Sequence, residues 1–256
     1  GSNVVTIATT TYYNLTLTPT STAAARTFTF GASDNTCTSG GCTATTTVSN
    51  VFTLSSAAHA NFNNTAVILS GSGTVFSKAN GTFIANGSVV QYTSASDTNI
   101  ATGTYDNLNI SGASIKTLLG NTIATSTVTV ASGSTLAISS YTFTATGSTW
   151  TNSGTVTEGT GGKITKASAS QFDNGSGTAK TSFSGDGRNT VYVRVTDHSL
   201  NLLAATTETQ TATITEISMI SDTETVTLTE TTVSSGIFSG GVTFGMSGTN
   251  VSSQLD

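Results

Sequence analysis

Threonine alternates with apolar residues along much of this chain, and a period of two leaves few folds open. Triplets such as Thr127-Val128-Thr129, Thr142-Phe143-Thr144, Thr155-Val156-Thr157 and Thr225-Val226-Thr227 recur throughout. Successive side chains of a strand point to opposite faces, so such triplets bury one face and leave the other polar. Threonine fits because β-branching stiffens χ1 and suits a pleated, half-buried surface. The chain of 256 residues holds 57 Thr and 36 Ser, and only 8% of it is charged, against about 25% in an ordinary soluble domain. So much Ser, Thr and Gly raises disorder as a competing reading, but the recurring apolar period opposes it. Hydrophobic residues make up 36%, enough for a core. The chain reads as all-β.

Charge and cysteine usage narrow the function classes. Net charge is −5 with no basic cluster, so the phosphate contacts of nucleic-acid binding have no carriers. No apolar run approaches the ~20 residues that span a bilayer. The opening Gly1-Ser2 reads as a processed chain, one cut from a longer chain, or a cloning scar. Cys37 and Cys42 enclose Thr-Ser-Gly-Gly, a loop flexible enough to bring the sulfurs together. Neither His59 nor His198 lies near, and two thiolates alone are too few for a metal site. A local disulfide and an oxidising compartment are expected.

An internal repeat organises the first part. Ile7–Leu17 and Ile100–Ile110 share I-A-T-x-T-Y-x-N-L-x-[L/I], with seven identities in eleven positions at an offset of 93. The match resumes at Ala44–Val48 against Ala124–Val128, offset 80, and near Asn80–Phe83 against Asn152–Val156, offset about 73. Two copies, about 7–99 and 100–185, are expected, the first with about thirteen extra residues between Leu17 and Ala44. That stretch holds both cysteines and reads as a protruding loop with its own staple. Short strands separated by Gly, Ser or Asn suit a β-solenoid of stacked coils. A pair of β-sandwiches suits the same alternation.

Near residue 186 the chemistry changes. Residues 1–185 carry five acidic and six basic side chains, and 186–256 carry eight and two. Longer strands follow the turn Ser184-Gly185-Asp186-Gly187: Val191–Thr196, Thr209–Ile217, Glu224–Glu230 and Ile237–Phe244, with Asn250–Leu255 as a fifth. This predicts a small antiparallel sandwich over 186–256, short of the roughly seven strands of an immunoglobulin-like fold.

The repeated part resembles right-handed parallel β-helix repeats of large secreted bacterial surface proteins and adhesins. The resemblance spans about 5–185 and rests on Tyr12-Tyr13-Asn14-Leu15-Thr16-Leu17, Tyr105-Asp106-Asn107-Leu108 and Gly147–Thr155. The last part is similar to an immunoglobulin-like module of bacterial and archaeal surface proteins. That likeness is carried by Val191–Asp197, Leu200-Asn201, Asp222–Glu230 and Ser235–Gly240. Both imply architecture and an extracellular, cell-surface setting, and say little about activity.

Candidate chemistry is sparse. Solenoid lyases and hydrolases need clustered carboxylates or a basic group, whereas Asp34, Asp97, Asp106, Glu158 and Asp173 stand singly. No catalytic residue and no enzyme activity are expected. Asp186, Asp197 and Asp222, with Glu224 and Glu230, lie in or beside turns and are weak Ca²⁺ candidates, but no calcium-loop spacing occurs and a solvated acidic face is the plainer reading. No other cofactor is expected. Threonine rows suit ice or polysaccharide, but their spacing is uneven. Seven N-x-[S/T] sequons, at Asn14, Asn63, Asn80, Asn86, Asn109, Asn174 and Asn250, are a chance level for this composition.

Two functions follow as expectations. One is a non-enzymatic subunit of an extracellular filament or layer, a homopolymer. The other is an adhesin stalk or module binding surface glycans. The apolar β-segment Asn3, Val4, Val5, Thr6 and Ile7 has no obvious partner in the chain and reads either as a strand donated to a neighbouring copy, whose sandwich lacks one, or as the edge of a chain cut from a longer protein; which end would donate stays open at the level of sequence.

Overall fold

Stacked coils need inward side chains at a near-constant chain spacing, and the strand register shows that spacing. The computed structural model describes residues 4–19, 26–31, 35–38, 41–147, 149–166, 169–181, 190–197, 200, 202–203, 205–215, 223–233, 235–244 and 254–255. The chain divides into two units, Gly1–Lys166 and Ala167–Asp256. Among the described residues there is no α-helix.

The first unit is a parallel β-solenoid of about seven turns. β1 (Val4–Ile7) and β2 (Thr11–Leu17) make the first turn. The second holds β3 (Arg26–Phe30), the short strands β4 (Cys37–Thr38) and β5 (Gly41–Cys42), and β6 (Thr45–Leu54). The third has β7 (Ala58–Asn61), β8 (Ala66–Leu69) and β9 (Phe76–Lys78), and the fourth β10 (Thr82–Ile84), β11 (Val89–Tyr92) and β12 (Thr98–Ile100). β13 (Thr104–Ile110) and β14 (Ile115–Leu118) form the fifth, and β15 (Thr122–Val130) and β16 (Thr135–Ser139) the sixth. The seventh contains β17 (Thr142–Ala145), β18 (Thr149–Asn152) and β19 (Thr155–Glu158), after which β20 (Lys163–Lys166) pairs with β17.

One ladder runs the length of the stack through Tyr12, Val48, Leu69, Tyr92, Ile110, Val130 and Asn152. After Val48 these rungs lie 18 (Tyr92 to Ile110) to 23 (Leu69 to Tyr92) residues apart, whereas Tyr12 to Val48 takes 36. Every rung from Val48 onward is buried. The alternation thus does what the sequence predicts: Val, Leu, Ile and Phe face inward between outward Thr. The early turns are filled by Phe30, Phe52, Phe62, Phe76 and Phe83, and Tyr105 continues the run, with neighbouring centroids 4.7 to 6.3 Å apart. Lys116 breaks the pattern, buried on β14 with its Nζ donating to Ser94 O at 2.8 Å.

Corners are made by asparagine, which tolerates the left-handed region. Asn63, Asn64, Asn80 and Asn86 have φ of 46 to 60°, so three of the sequon asparagines have a backbone role. Gly112 turns at φ +90°, where a Cβ would lie 2.2 Å from the carbonyl oxygens of Thr93 and Ser94.

The repeated motif is a bend rather than a unit of stacking. The register breaks between Tyr12 and Asn14 in one copy and between Tyr105 and Asn107 in the other. Tyr12 belongs to the ladder of Val48 and Tyr92, but Tyr105 pairs with Ala124, which pairs with Ala145 on another ladder. The same motif therefore turns two different corners. Since Val48 is opposite Tyr12 and Ala124 opposite Tyr105, the true offset there is 76 (124 less 48), not 80. A slip of four keeps every side chain on its face, so alternation cannot detect it.

The second unit is one antiparallel sheet, ordered β21 (Ala169–Asp173), β22 (Thr190–Thr196), β25 (Ile237–Phe244), β24 (Thr223–Glu230) and β23 (Thr209–Thr215). β26 (Gln254–Leu255) lies parallel to β25. Its core is Val191, Val193, Val226, Leu228, Phe238 and Val242. The described strands are hydrogen-bonded in one continuous order. The division at Lys166 precedes the charge change near 186 because β21 pairs with β22 and Asp173 accepts from Arg194 Nε at 2.6 Å.

Candidate assembly site

Cys37 and Cys42 face each other across β4 and β5 and are bonded, and Thr43 N–H closes the hairpin base onto Thr36 O at 2.9 Å. The stretch between Leu17 and Ala44 is more than a protruding loop, however. It contains β3, whose Phe28 and Phe30 are buried.

That strand corrects the reading of the N-terminal segment. Asn3 lies outside the described residues, but Val4, Val5, Thr6 and Ile7 form β1 and do have a partner in the chain. They pair in parallel with Thr27, Phe28, Thr29 and Phe30. The sequence hid this because β3 sits inside what reads as an insertion. β1 remains the outermost strand of its sheet, with Val4 53% exposed.

Asp186 and Asp222 lie outside the described residues, as do Asp34 and His198. Asp197 follows β22, and its N–H donates to Gly236 O at 2.8 Å. Among the described residues no three or more His, Cys, Asp or Glu side chains gather as a metal centre would need. In the solenoid each described carboxylate holds a neighbouring stretch of chain. Asp97 accepts from Ile115 N–H at 3.1 Å, Asp106 from Thr125 Oγ1 at 2.6 Å, and Glu158 from Ile164 N–H at 2.8 Å. His59 faces Thr82 on the next turn.

The repeat asparagines clasp adjacent turns. Asn14 Oδ1 accepts from Asn50 Nδ2 at 2.9 Å, and Asn107 Oδ1 from Thr127 Oγ1 at 2.8 Å. These outward amides are satisfied by one another's turns.

The feature that sequence reasoning only outlined is a groove in the second unit. β21 and β23 end the sheet order at opposite sides, yet both line one cavity of about 390 Å³. The sheet therefore curls until its two edges face each other. The walls are Phe172, Val193, Val195, Ala212 and Ile214. On β21, Lys180 N–H donates to Phe172 O at 2.8 Å. On β23, the seven residues Thr209–Thr215 pair with β24, and among the described residues no strand pairs with the other edge. No single stretch of sequence signals this, since it arises from curvature.

No family model, no curated protein and no solved structure matches the chain.

Proposed function

We propose that the chain is a non-enzymatic structural protein of the cell exterior, a subunit of a surface filament or layer whose copies exchange a strand. The observation that carries this reading is the groove beside β23, apolar on its walls and open along one edge. An unpaired edge beside exposed apolar side chains is a template for a strand from another chain. In this reading the solenoid is right-handed and the second unit is an immunoglobulin-like sandwich completed by its neighbour. The donor is Val4–Ile7, which alternates in exposure and lies at a sheet edge. Donation trades its four rungs on β3 for rungs on β23. The oxidised hairpin and low charge suit an extracellular part. An adhesin stalk is the second reading, and the pairing of outward Asn and Thr with one another counts against a glycan-binding face.

Negative-stain microscopy of the concentrated protein should show polymers, and a field of monomers alone would end the proposal. Deleting residues 1–7 should abolish assembly, as should Ile214→Glu in the groove wall, both with the β-sheet circular dichroism intact. Assembly that survives the deletion would exclude Val4–Ile7 as donor.

A further inference from the structure

Like charges directly opposite each other in a sheet repel, and sequences avoid them. The second unit places two carboxylates there. Thr209 pairs with Thr229, and on the next rung Glu230 N–H donates to Glu208 O at 2.9 Å. Along β24, Val226, Leu228 and Glu230 alternate on the buried face, with Glu230 only 3% exposed. Ala212 and Ile214, on the same side of β23 as Glu208, pack against that face. The two carboxylates thus end an apolar row.

Each has one oxygen satisfied and one bare. Glu230 Oε1 accepts from Gly236 N–H at 2.8 Å and from Ser235 Oγ at 3.4 Å, while Glu208 Oε1 accepts from Leu203 N–H. The Oε2 atoms of Glu208 and Glu230 are both buried and find no donor among the described residues. Burial, and then the Glu230 carboxyl beside it, hold the Glu208 carboxyl above its usual value against the pull of backbone N–H groups. Buried anionic oxygens without donors are costly unless a cation or a proton joins them.

We propose that Glu208 and Glu230 bind a divalent cation, Ca²⁺ by the hardness of the donors, between their Oε2 atoms. Ca²⁺ takes six to eight oxygens in a flexible shell, so water and carbonyl oxygens complete it. Two carboxylates make a modest site, in the range of about 10⁻⁴–10⁻³ M found in extracellular modules. The cation ties the segment of Leu203 and Glu208 to the turn at Ser235 and Gly236. Asp197 N–H already meets that turn at Gly236 O, so the end of β22 joins the same node. Of the calcium candidates read from the sequence the site uses Glu230 alone, joined by Glu208, which the sequence did not single out.

A shared proton is the other way to join the two groups, and melting of the full chain separates the possibilities. At pH 7 the melting temperature should rise as CaCl₂ is raised to about 10 mM, as binding to the native state requires. Glu208→Gln and Glu230→Gln should each weaken the apparent Ca²⁺ affinity at least about tenfold by the same linkage. A melting temperature indifferent to Ca²⁺, or a rise that both variants retain, overturns the proposal. Indifference to Ca²⁺ combined with stabilisation from pH 7 to 5 would identify a shared proton instead.

Discussion

Tyr92 and Tyr105 meet hydroxyl to hydroxyl at 3.0 Å inside the solenoid, both fully buried. Tyr105 O–H donates to Ala101 O at 2.6 Å, and Ala101 N–H donates to the Tyr92 oxygen at 3.2 Å. Burial pushes the Tyr92 phenol up to about 12 from 10.0, outweighing the two hydrogen bonds that lower it. Burial, reinforced by Tyr92, holds Tyr105 well above 10.0. In the unfolded chain both ionise near 10.0, so the folded state binds the extra proton above that pH. Their contribution is complete below pH 10 and is lost as pH rises from 10 through about 12. The urea midpoint should therefore hold steady to about pH 9.5 and fall beyond 10. Tyr105→Phe should cost about 1–3 kcal/mol at pH 8, because it strips a buried carbonyl of its donor. An unchanged midpoint at pH 11.5 would contradict the assignment. Tyr105 is visible in the sequence as a member of the repeat, but its contact with Tyr92 depends on turn length and was not. The facing of Glu208 and Glu230 was hidden likewise, since it follows from hairpin register.

Among the elements, β4 and β5 make the disulfide-bonded hairpin that the sequence predicts. Closing so short a loop removes little entropy from the unfolded chain, so the bond stabilises by at most about 2–3 kcal/mol. Replacing both cysteines with Ser should leave the solenoid's circular dichroism unchanged and lower the melting temperature by only a few degrees. A fall of tens of degrees would mean that the hairpin supports the core. The longer strands were legible almost to the residue: β22, β24 and β25 begin and end within a residue of their expected limits, and β23 begins where expected, Glu216 and Ile217 lying outside the described residues. β3 and β21 were missed for opposite reasons. Arg26–Phe30 alternates well but lies within an apparent insertion, whereas Ala169–Asp173 has a single large apolar residue, Phe172, and precedes the change in charge.

At the scale of the molecule, the solenoid was readable because inward positions tolerate any large apolar residue while outward ones stay polar. Its turn boundaries were not, since several even-numbered slips satisfy the same alternation. The unequal turns also bear on the order in which the chain gains structure. Each later rung closes a loop of about twenty residues, but Tyr12 must reach across 36 to find Val48. Closure entropy grows with the logarithm of length, about 0.6 kcal/mol per doubling, and a repeat array folds by nearest-neighbour propagation. β2 bears that longest closure, and β1, whose partner Thr27 lies only 23 residues from Val4, is paired on one side alone among the described strands, so the first turn should zip last and open first. Native-state hydrogen exchange should find β1 and β2 the least protected strands of the solenoid, with β11, β13 and β15 the slowest to exchange. Equal protection along the stack would rule this out. The segment that strand exchange would require to detach is then the one whose local unfolding is already the least costly, and assembly would begin from a fraying end instead of from an opened core.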